Sequence, residues 1–283
     1  MSDAGWQWDP SLYKGSATYY VQGRVHYPQE LADRLASELM LDGTGRLLDV
    51  GCGPGSLTLL LASLFEHATG LDADRDMLAE ARRQATAARI TNVDWVHLRA
   101  EQLTCHLGPF QVATLAQSFH WMDRPVVARL LHSLLREDGA LVHVRATTHQ
   151  GVRTDAPLPH PQPPRTEIDG LIKRFLGPRR RAGQGTLPVV SAGEAETADL
   201  EAAIYRAAGF TGHVRVVIPG RVVVRDTDAI VASVFSLSGA APHLFSGRHQ
   251  FFEAELRALL RDVSYEGRFS EQLRESVVDI WRR

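Results

Sequence analysis

Three glycines stand between a short apolar run and a helical pattern, and their spacing suits a ligand-binding turn. Gly51, Gly53 and Gly55 follow the apolar residues 47–50 and precede the helix pattern 56–65. Glycine permits positive φ and lets a ligand approach the main chain closely. The free N–H groups and partial positive charge at a helix start favour a polar or anionic ligand. The pattern predicts a cofactor at this turn, although a ligand-free strand-to-helix turn would show the same glycines.

An acidic residue ends the next predicted strand. Asp72 follows the apolar residues 68–71, and an acid at this place in an α/β fold accepts hydrogen bonds from ribose hydroxyls. The glycine spacing is G-x-G-x-G, which differs from the G-x-G-x-x-G of dinucleotide sites. Together the turn and Asp72 predict a nucleoside-containing cofactor.

Alternating strand and helix patterns must position these residues. Apolar strand patterns occur at 47–50, 68–71, 93–98, 110–116, 140–144, 213–218 and 276–281. A helix pattern begins at Pro28 and includes Leu31, Leu35 and Leu39, and further helix patterns occur at 56–65, 74–88, 125–136, 198–208, 226–237 and 249–261. Such alternation predicts a parallel sheet with right-handed crossovers.

The segments LLDVGCGPG and GLDAD resemble motif I and its acidic successor in class I S-adenosylmethionine-dependent methyltransferases. The resemblance extends through Glu101 and the pair His120–Trp121, which many members of one subset carry after the fourth strand. The second half of the chain is similar mainly in layout. The resemblance implies a Rossmann-like α/β fold whose seven-stranded sheet is mostly parallel with an antiparallel last strand and helices on both faces.

The same resemblance implies S-adenosyl-L-methionine as the cofactor and assigns residues to it. The implied cofactor-binding residues are Arg24, Asp49, Gly51, Cys52, Gly53, Gly55, Asp72, Ala73, Met77, Ala100, Glu101, Gln117 and Ser118. Some of these residue types have simpler interpretations. Cys52 is also a small apolar filler, Met77 is also a core residue, and Glu101 is also a solvated loop acid.

The N-terminal segment YYVQGRVHYP resembles a segment that folds over the cleft in one methyltransferase subset. By that resemblance Tyr20 and Tyr27 line the substrate pocket, and Arg24 pairs with the cofactor carboxylate in a bidentate manner. The alternative is a strap that only packs against the core.

The residues after the fourth strand are the other part of the predicted substrate pocket. His120 and Trp121 lie where the cleft opens at the strand ends. His120 is the first candidate for a general base, because a histidine with its reference pKa of about 6.5 is largely neutral at working pH. Tyr20 is the second candidate. The alternative for His120 is that it only lines the pocket.

Composition limits the classes of partner. The chain has 283 residues and a formal net charge of -2, which gives no overall attraction to nucleic acid or to an anionic membrane. Its two cysteines lack metal-ligand spacing, and we predict no metal site. The N-terminus lacks a signal pattern. We therefore expect a cytoplasmic monomer or homodimer with a small-molecule acceptor, no nucleic acid and no membrane.

We expect a single methyltransferase domain over residues 1–283, with two additions. Residues 1–28 form an N-terminal cap segment. Residues 147–190 form an insertion rich in proline and arginine, with a short helix at 167–176. Because this insertion follows a core strand at the edge of the cleft, it is interpreted either as a lid or as a mobile, solvated loop.

The resulting hypothesis is methyl transfer from S-adenosyl-L-methionine to a small molecule, such as an intermediate of specialised metabolite biosynthesis. Two alternatives stay open. One is a cyclase or rearrangement enzyme that binds the cofactor without transferring its methyl group, because a fold does not fix a chemistry. The other is a non-catalytic binding or regulatory protein.

Overall fold

The computed structural model describes residues 9–182, 185–187 and 194–283. The strands in chain order are β1 (Arg46–Val50), β2 (His67–Asp72), β3 (Val93–His97), β4 (Phe110–Ala116), β5 (Leu135–Arg145), β6 (Arg180–Ala182), β7 (Gly185–Leu187), β8 (Thr211–Ile218), β9 (Val222–Asp226), β10 (Arg268–Gln272) and β11 (Ser276–Arg282).

The α-helices in chain order are α1 (Ala17–Gly23), α2 (Gln29–Leu39), α3 (Ser56–Leu61), α4 (Arg75–Ala87), α5 (Arg124–Leu134), α6 (Arg165–Leu176), α7 (Glu194–Ala207), α8 (Thr227–Phe235) and α9 (His249–Val263). The Asp74 side chain accepts hydrogen bonds from the N–H groups of Asp76 and Met77 and so caps α4. The helix predicted at 56–65 is shorter, because a 3₁₀ turn (Ala62–Leu64) replaces its end.

Seven strands form the main sheet in the order β3-β2-β1-β4-β5-β11-β8. The neighbouring pairs from β3 to β5 are all parallel. The last strand, β11, inserts between β5 and β8 and is antiparallel to both. The predicted sheet, mostly parallel with an antiparallel last strand, is confirmed. Two further pairs, β9 with β10 and β6 with β7, form separate two-stranded ribbons.

The register of the central strands brings their carboxyl ends to one edge. Val50 of β1 pairs with Leu71 of β2 and with Leu115 of β4. The residues that follow these strands therefore lie side by side, because parallel neighbours end at the same edge of a sheet.

Each face of the main sheet carries its own apolar core. One core joins the sheet to α5 and α7 and includes Leu48, Leu131 and Tyr205. The core on the opposite face joins the sheet to α2 and α3 and includes Leu35 and Leu47. Adjacent residues of β1 belong to opposite cores, as the alternation of side chains along a strand requires.

A third core lies outside the sheet and joins α6, α8 and α9. Its buried side chains include Ile172 of α6, Phe235 of α8 and Phe252 of α9. The described part of the 147–190 insertion therefore includes a packed helix at residues 165–176, and the interpretation of the insertion as a lid stays a prediction. Residues 183–184 and 188–190 of the insertion lie outside the described residues.

The N-terminal segment is attached to this third core. A Cβ at Gly23 would lie 2.3 Å from the main chain of Ala232 and Ser233, so α1 and α8 approach more closely than any side chain would allow. The Ser16 hydroxyl donates to the Phe235 carbonyl oxygen over 2.8 Å. The sequence patterns did not predict α1, whose stability comes from this packing.

The strand patterns also did not predict β10, for a physical reason. Its residues Ser270 and Glu271 are buried although they are polar. Glu271 is compensated by ion pairs with Arg165 and Arg225, which are distant in sequence.

In the described part of the chain, no single helix is long and apolar enough to cross a membrane. One pair of helical segments, Thr227–Phe235 and Ser238–Phe245, reaches that length and hydropathy only when the two are taken together, and the pair is bent by 102°.

Candidate cofactor and acceptor cleft

A deep cleft opens at the carboxyl ends of β1, β2 and β4 and encloses about 990 Å³, counting the space at its mouth. Loops of the sheet form its floor, and the N-terminal segment covers it from above. Of the predicted site residues, the cleft is lined by Tyr20, Arg24, Tyr27, Asp49, Gly51, Cys52, Gly53, Asp72, Ala73, Met77, Ala100, Glu101, Gln117, Ser118 and Trp121.

The glycine turn and Asp72 form one hydrogen-bonded unit on the cleft floor. The N–H groups of Gly53 and Asp74 each donate to the Asp72 carboxylate, over 2.8 Å in both cases. Burial raises the pKa of Asp72 to about 6. Gly53 has φ +55°, and a Cβ there would meet no atom within 4 Å. The turn therefore leaves room for a ligand directly beside a carboxylate that can accept hydrogen bonds from hydroxyl groups.

Asp49 lies below the turn and is fully engaged. Its two oxygens accept hydrogen bonds from the hydroxyls of Thr58 and Thr114, at 2.6 and 2.7 Å. Burial is the main cause of a raised Asp49 pKa. Asp49 thus fastens α3 and β4 to the end of β1, and its predicted contact with the cofactor stays a prediction.

Gly55 is the predicted cofactor residue that does not line the cleft. It has φ +82°, and a Cβ there would lie 2.6 Å from the Trp95 ring on β3. The glycine at this position permits the turn and the packing of Trp95. The neighbouring Cys52 is buried in the cleft wall, and burial raises the pKa of its thiol, which agrees with its interpretation as a small apolar filler.

The wall beyond Asp72 is apolar with one anchored acid. Ala73, Met77, Leu98 and Ala100 line this part of the cleft together with Glu101. The Glu101 carboxylate accepts a hydrogen bond from the Asp123 N–H at 2.9 Å and pairs with Arg99 at 3.4 Å. Its side chain is only 16 % exposed. Glu101 is therefore a fixed part of the wall, and its interpretation as a solvated loop acid is wrong.

The loop after β4 is held tightly against β1. The Ser118 hydroxyl donates to the Val50 carbonyl oxygen over 2.7 Å. Gln117 has φ +56°, a left-handed conformation that is unusual for a residue other than glycine. Such strain is typical of residues that a binding site holds in place.

Arg24 joins the N-terminal segment to two other elements. Its Nε and Nη2 donate to the hydroxyl and carbonyl oxygens of Ser236, at 2.8 and 3.0 Å. Its Nη1 lies 3.4 Å from both Thr148 Oγ1 and His149 Nδ1. The guanidinium also lies 4.5 Å above the Tyr20 ring. The edge formed by Nε and Nη2 is therefore occupied by Ser236, so the predicted bidentate pairing with the cofactor carboxylate cannot use that edge in this structure.

The sequence patterns gave no indication of Tyr13 and Thr148, which also line the cleft. The Tyr13 ring contacts the rings of Tyr20 and Trp121 edge-on, with centroids 6.4 and 5.8 Å apart. Tyr13 lies in a polar stretch without periodicity, so its aromatic character was the only signal. Trp6 and Trp8, in the same stretch, lie outside the described residues.

His120 lies outside the lining of the cleft, contrary to its predicted place. Residues Phe119–Trp121 form a single 3₁₀ turn. Trp121 lines the cleft and His120 does not, although their ring centroids lie 4.9 Å apart. The surrounding protein, and then the Arg124 charge, lower the pKa of His120 to about 4, although the residue keeps an exposed surface. His120 is therefore a weaker base than expected and lies outside the cleft lining, and its role as general base stays a prediction.

Within the described ranges, neither a histidine nor a lysine lines the cleft. In the same ranges, no three histidine, cysteine or acidic side chains are arranged to hold a metal ion. The ionisable groups that do line the cleft are carboxyl, phenol, thiol and guanidinium groups.

Comparisons with known proteins agree with this geometry. Residues 47–139 match the family described as "Methyltransferase domain". The chain is similar to a trans-aconitate 2-methyltransferase of Variovorax paradoxus, with 39% identity over 84 residues that cover 29% of each chain. It is similar to a ubiquinone biosynthesis O-methyltransferase of Actinobacillus pleuropneumoniae, with 29% identity over 42% of this chain and 50% of the relative. These matches span about half of each curated relative or less.

A solved structure shares the fold. The YcgJ protein of Bacillus subtilis superposes with a TM-score of 0.51 at 16% identity, over 90% of this chain and 99% of that chain. The matched segment 47–139 contains the glycine turn, Asp72 and the residues after β4, all of which contribute to the cleft.

S-adenosyl-L-methionine, the cofactor that the family uses, fits the residues present. The space beside Gly53 accommodates a ligand against the turn, Asp72 presents a carboxylate for ribose hydroxyls, and Met77, Leu98 and Ala100 provide an apolar wall for a base. Residues 47–139 of this chain thus match a methyltransferase domain, and they form much of a cleft whose residues fit that cofactor.

Proposed function

We propose that this protein transfers the methyl group of S-adenosyl-L-methionine to a small-molecule acceptor. The observation that carries the proposal is that one cleft joins the glycine turn and Asp72 to a cover of aromatic rings, those of Tyr13, Tyr20 and Tyr27. When bound, the cofactor supplies an electrophilic methyl carbon on a sulfonium. The protein then needs chiefly to hold the acceptor in line with that carbon.

The chain's own residues would supply binding, orientation and exclusion of water. Asp72 and the Gly53 turn would hold the nucleoside, while the three tyrosines would cover it from the N-terminal side. Holding two reactants in the correct geometry lowers a barrier by roughly 7–11 kcal/mol at best. Both curated relatives are named for small molecules, which supports a small acceptor, as does the enclosed shape of the cleft.

The proposal is tested by calorimetry and by product analysis. S-adenosyl-L-methionine should bind with one molecule per chain, and turnover should release S-adenosylhomocysteine together with a product heavier than the acceptor by one methylene unit. A product with the mass of the acceptor, or binding without turnover on any acceptor, would contradict methyl transfer. Deletion of residues 1–28 should leave the sheet folded but lower turnover sharply, because the tyrosine cover is lost.

A further inference from the structure

Three arginines meet at one residue beside the cleft. The Arg24 Nη1 lies 3.4 Å from His149 Nδ1. The carbonyl oxygen of the same His149 accepts hydrogen bonds from Arg165 Nη2 at 3.3 Å and from Arg225 Nη1 at 3.0 Å. These arginines come from the N-terminal segment, α6 and β9, so distant parts of the chain bring three positive charges together.

The carboxylate that the structure places in this cluster is Glu271. It pairs with Arg165 at 2.8 Å and with Arg225 at 3.0 Å, and its side chain is 3 % exposed. Burial, followed by the charges of the three arginines, lowers the pKa of His149 to about 3, so this imidazole is neutral. Three positive charges and one negative charge leave an excess of two positive charges.

Arg24 carries the part of this excess that faces the cleft. In the described part of the chain, no carboxylate lies within ion-pair distance of its guanidinium, whose partners are Ser236, Thr148, His149 and the Tyr20 ring. Because a partly buried charge without a counter-ion is unfavourable, such an arginine is suited to an anionic ligand. Arg24 and Thr148 line the cleft itself.

The arginine cluster also faces an adjoining groove. His149, Arg165 and Glu271 line this groove, and Glu167 lies on its exposed rim. Arg24 and His149 thus separate the groove from the cleft. An acceptor that occupies the Arg24 end of the cleft would meet the excess positive charge.

The described lining of the cleft offers the acceptor no free general base, because it contains no histidine or lysine and because Asp72, whose pKa is about 6, is the carboxylate proposed to hold the ribose. The Asp49 oxygens accept from two threonines, Glu101 is fixed by Asp123 and Arg99, and Asp72 accepts from two main-chain N–H groups. A tyrosine hydroxyl is a proton donor at neutral pH, since phenols titrate near pH 10. An acceptor that is already deprotonated would need no base.

From these two observations we propose that the acceptor is a small carboxylic acid, methylated on a carboxylate oxygen to give a methyl ester. This inference rests on the proposed methyl transfer. The carboxylate oxygen forms a bond to the methyl carbon while the bond from that carbon to sulfur breaks, and the electron pair stays on sulfur. The reacting carboxylate group and the sulfonium centre both become neutral, so no proton is released and no other reactant is required.

The test uses a chemical property of the product. The full-length protein is incubated with S-adenosyl-L-methionine labelled in its methyl group and with matched probes, glutarate with glutaramide and benzoate with benzamide, together with a set of di- and tricarboxylic acids. Methyl esters release their label as volatile methanol in mild base, whereas methyl ethers and methylamines retain it. We expect label on acids only, released by base. Base-stable label, or label on an amide, or label on none of the acids, would overturn the inference.

Failure of the proposed function is distinguished by calorimetry. If S-adenosylhomocysteine does not bind at all, methyl transfer itself is contradicted. If it binds and the label is base-stable, only the carboxylate inference fails.

Substitution of Arg24 separates the two carboxylates that it could serve. Arg24→Gln should reduce ester formation at least tenfold, Arg24→Lys should retain part of it, and Arg34→Gln, which changes an exposed arginine on α2, should have no effect. S-adenosylhomocysteine carries a carboxylate that 5′-deoxy-5′-methylthioadenosine lacks. If Arg24→Gln weakens binding of S-adenosylhomocysteine but not of 5′-deoxy-5′-methylthioadenosine, and if ester formation is unchanged, then Arg24 serves the carboxylate of the cofactor. That result would overturn the inference. Melting temperatures of the variants show whether each one folds.

Discussion

The N–H of Gly53 donates a 2.8 Å hydrogen bond to the carboxylate of Asp72, so the glycine turn after β1 and the acid at the end of β2 are one structural unit. The second oxygen of Asp72 accepts from the Asp74 N–H, which begins the turn into α4. Asp72 is therefore oriented before any ligand arrives. Ligand binding at this unit should respond both to single substitutions and to pH.

Cofactor affinity should depend on the protonation of Asp72. Burial raises its pKa to about 6, so the carboxylate gains a proton and becomes a poorer acceptor as the pH falls through that value. The affinity for 5′-deoxy-5′-methylthioadenosine, which has no group that titrates near pH 6, should fall about tenfold between pH 7 and pH 5. Calorimetry at each pH measures this affinity. In Asp72→Asn the affinity should no longer change with pH. A pH dependence that persists in this variant would show that another group is responsible.

Loss of the Asp72 carboxylate should weaken the cofactor complex directly. Asp72→Ala should cost roughly 1.5–3 kcal/mol of binding free energy for S-adenosylhomocysteine, the range for hydrogen bonds to a charged group. Asp94→Ala is the matched control, because Asp94 is exposed and pairs with His67 away from the cleft. Equal affinities of the two variants would remove Asp72 from the site.

Gly53→Ala should impair binding more than folding. A methyl group there meets no protein atom within 4 Å but occupies the space beside the turn. The left-handed conformation costs about 1–2 kcal/mol in stability. Gly43→Ala provides the control, since Gly43 also has positive φ and open surroundings but lies in an exposed turn before β1. Both variants should lose similar stability in urea, and only Gly53→Ala should lose cofactor affinity.

Gly55→Ala should show the reverse pattern. The added Cβ would lie 2.6 Å from the Trp95 ring and would take a left-handed φ, which together cost about 2–5 kcal/mol of folding free energy. Trp95→Leu in the same chain should restore part of that loss. The folded fraction should bind S-adenosylhomocysteine within a few fold of the unmodified protein, and a selective loss of binding without a loss of stability would return Gly55 to the site.

His120→Ala should lower the single-turnover rate less than tenfold. The side chain lies outside the cleft lining, and its pKa of about 4 leaves it neutral from pH 5 to 8. The pH profile of the single-turnover rate from pH 5 to 8 should therefore be the same in the His120→Ala variant and in the unmodified protein. Trp121→Ala, the matched change at the adjacent residue, should weaken ligand binding because Trp121 does line the cleft. A loss of 10²–10⁴ in His120→Ala would restore its role as general base.

The sequence predicted the parts of the site that depend on local order. The strand, the glycine turn and the acid at the end of β2 are close in sequence, and their geometry follows from the parallel register of β1 and β2. His120 shows the limit of such reasoning, because its position relative to β4 was predicted correctly but a single 3₁₀ turn decides which side chain enters the cleft.

The cap over the cleft depends on distant contacts, which no local pattern reports. Glu271 is a buried acid within a strand because arginines 106 and 46 positions away compensate its charge. Tyr13 reaches the cleft because the packing of Gly23 against α8 places the N-terminal segment there. Both relations became visible only in the folded chain.

The central claim, that the cleft of Gly53 and Asp72 holds the cofactor, is tested most directly by a crystal structure of the protein with S-adenosylhomocysteine. The account predicts the ligand in this cleft, with its ribose hydroxyls within hydrogen-bond distance of the Asp72 carboxylate and its main body beside Gly53. A ligand bound elsewhere, or one in the cleft whose ribose contacts neither Asp72 nor the glycine turn, would contradict it.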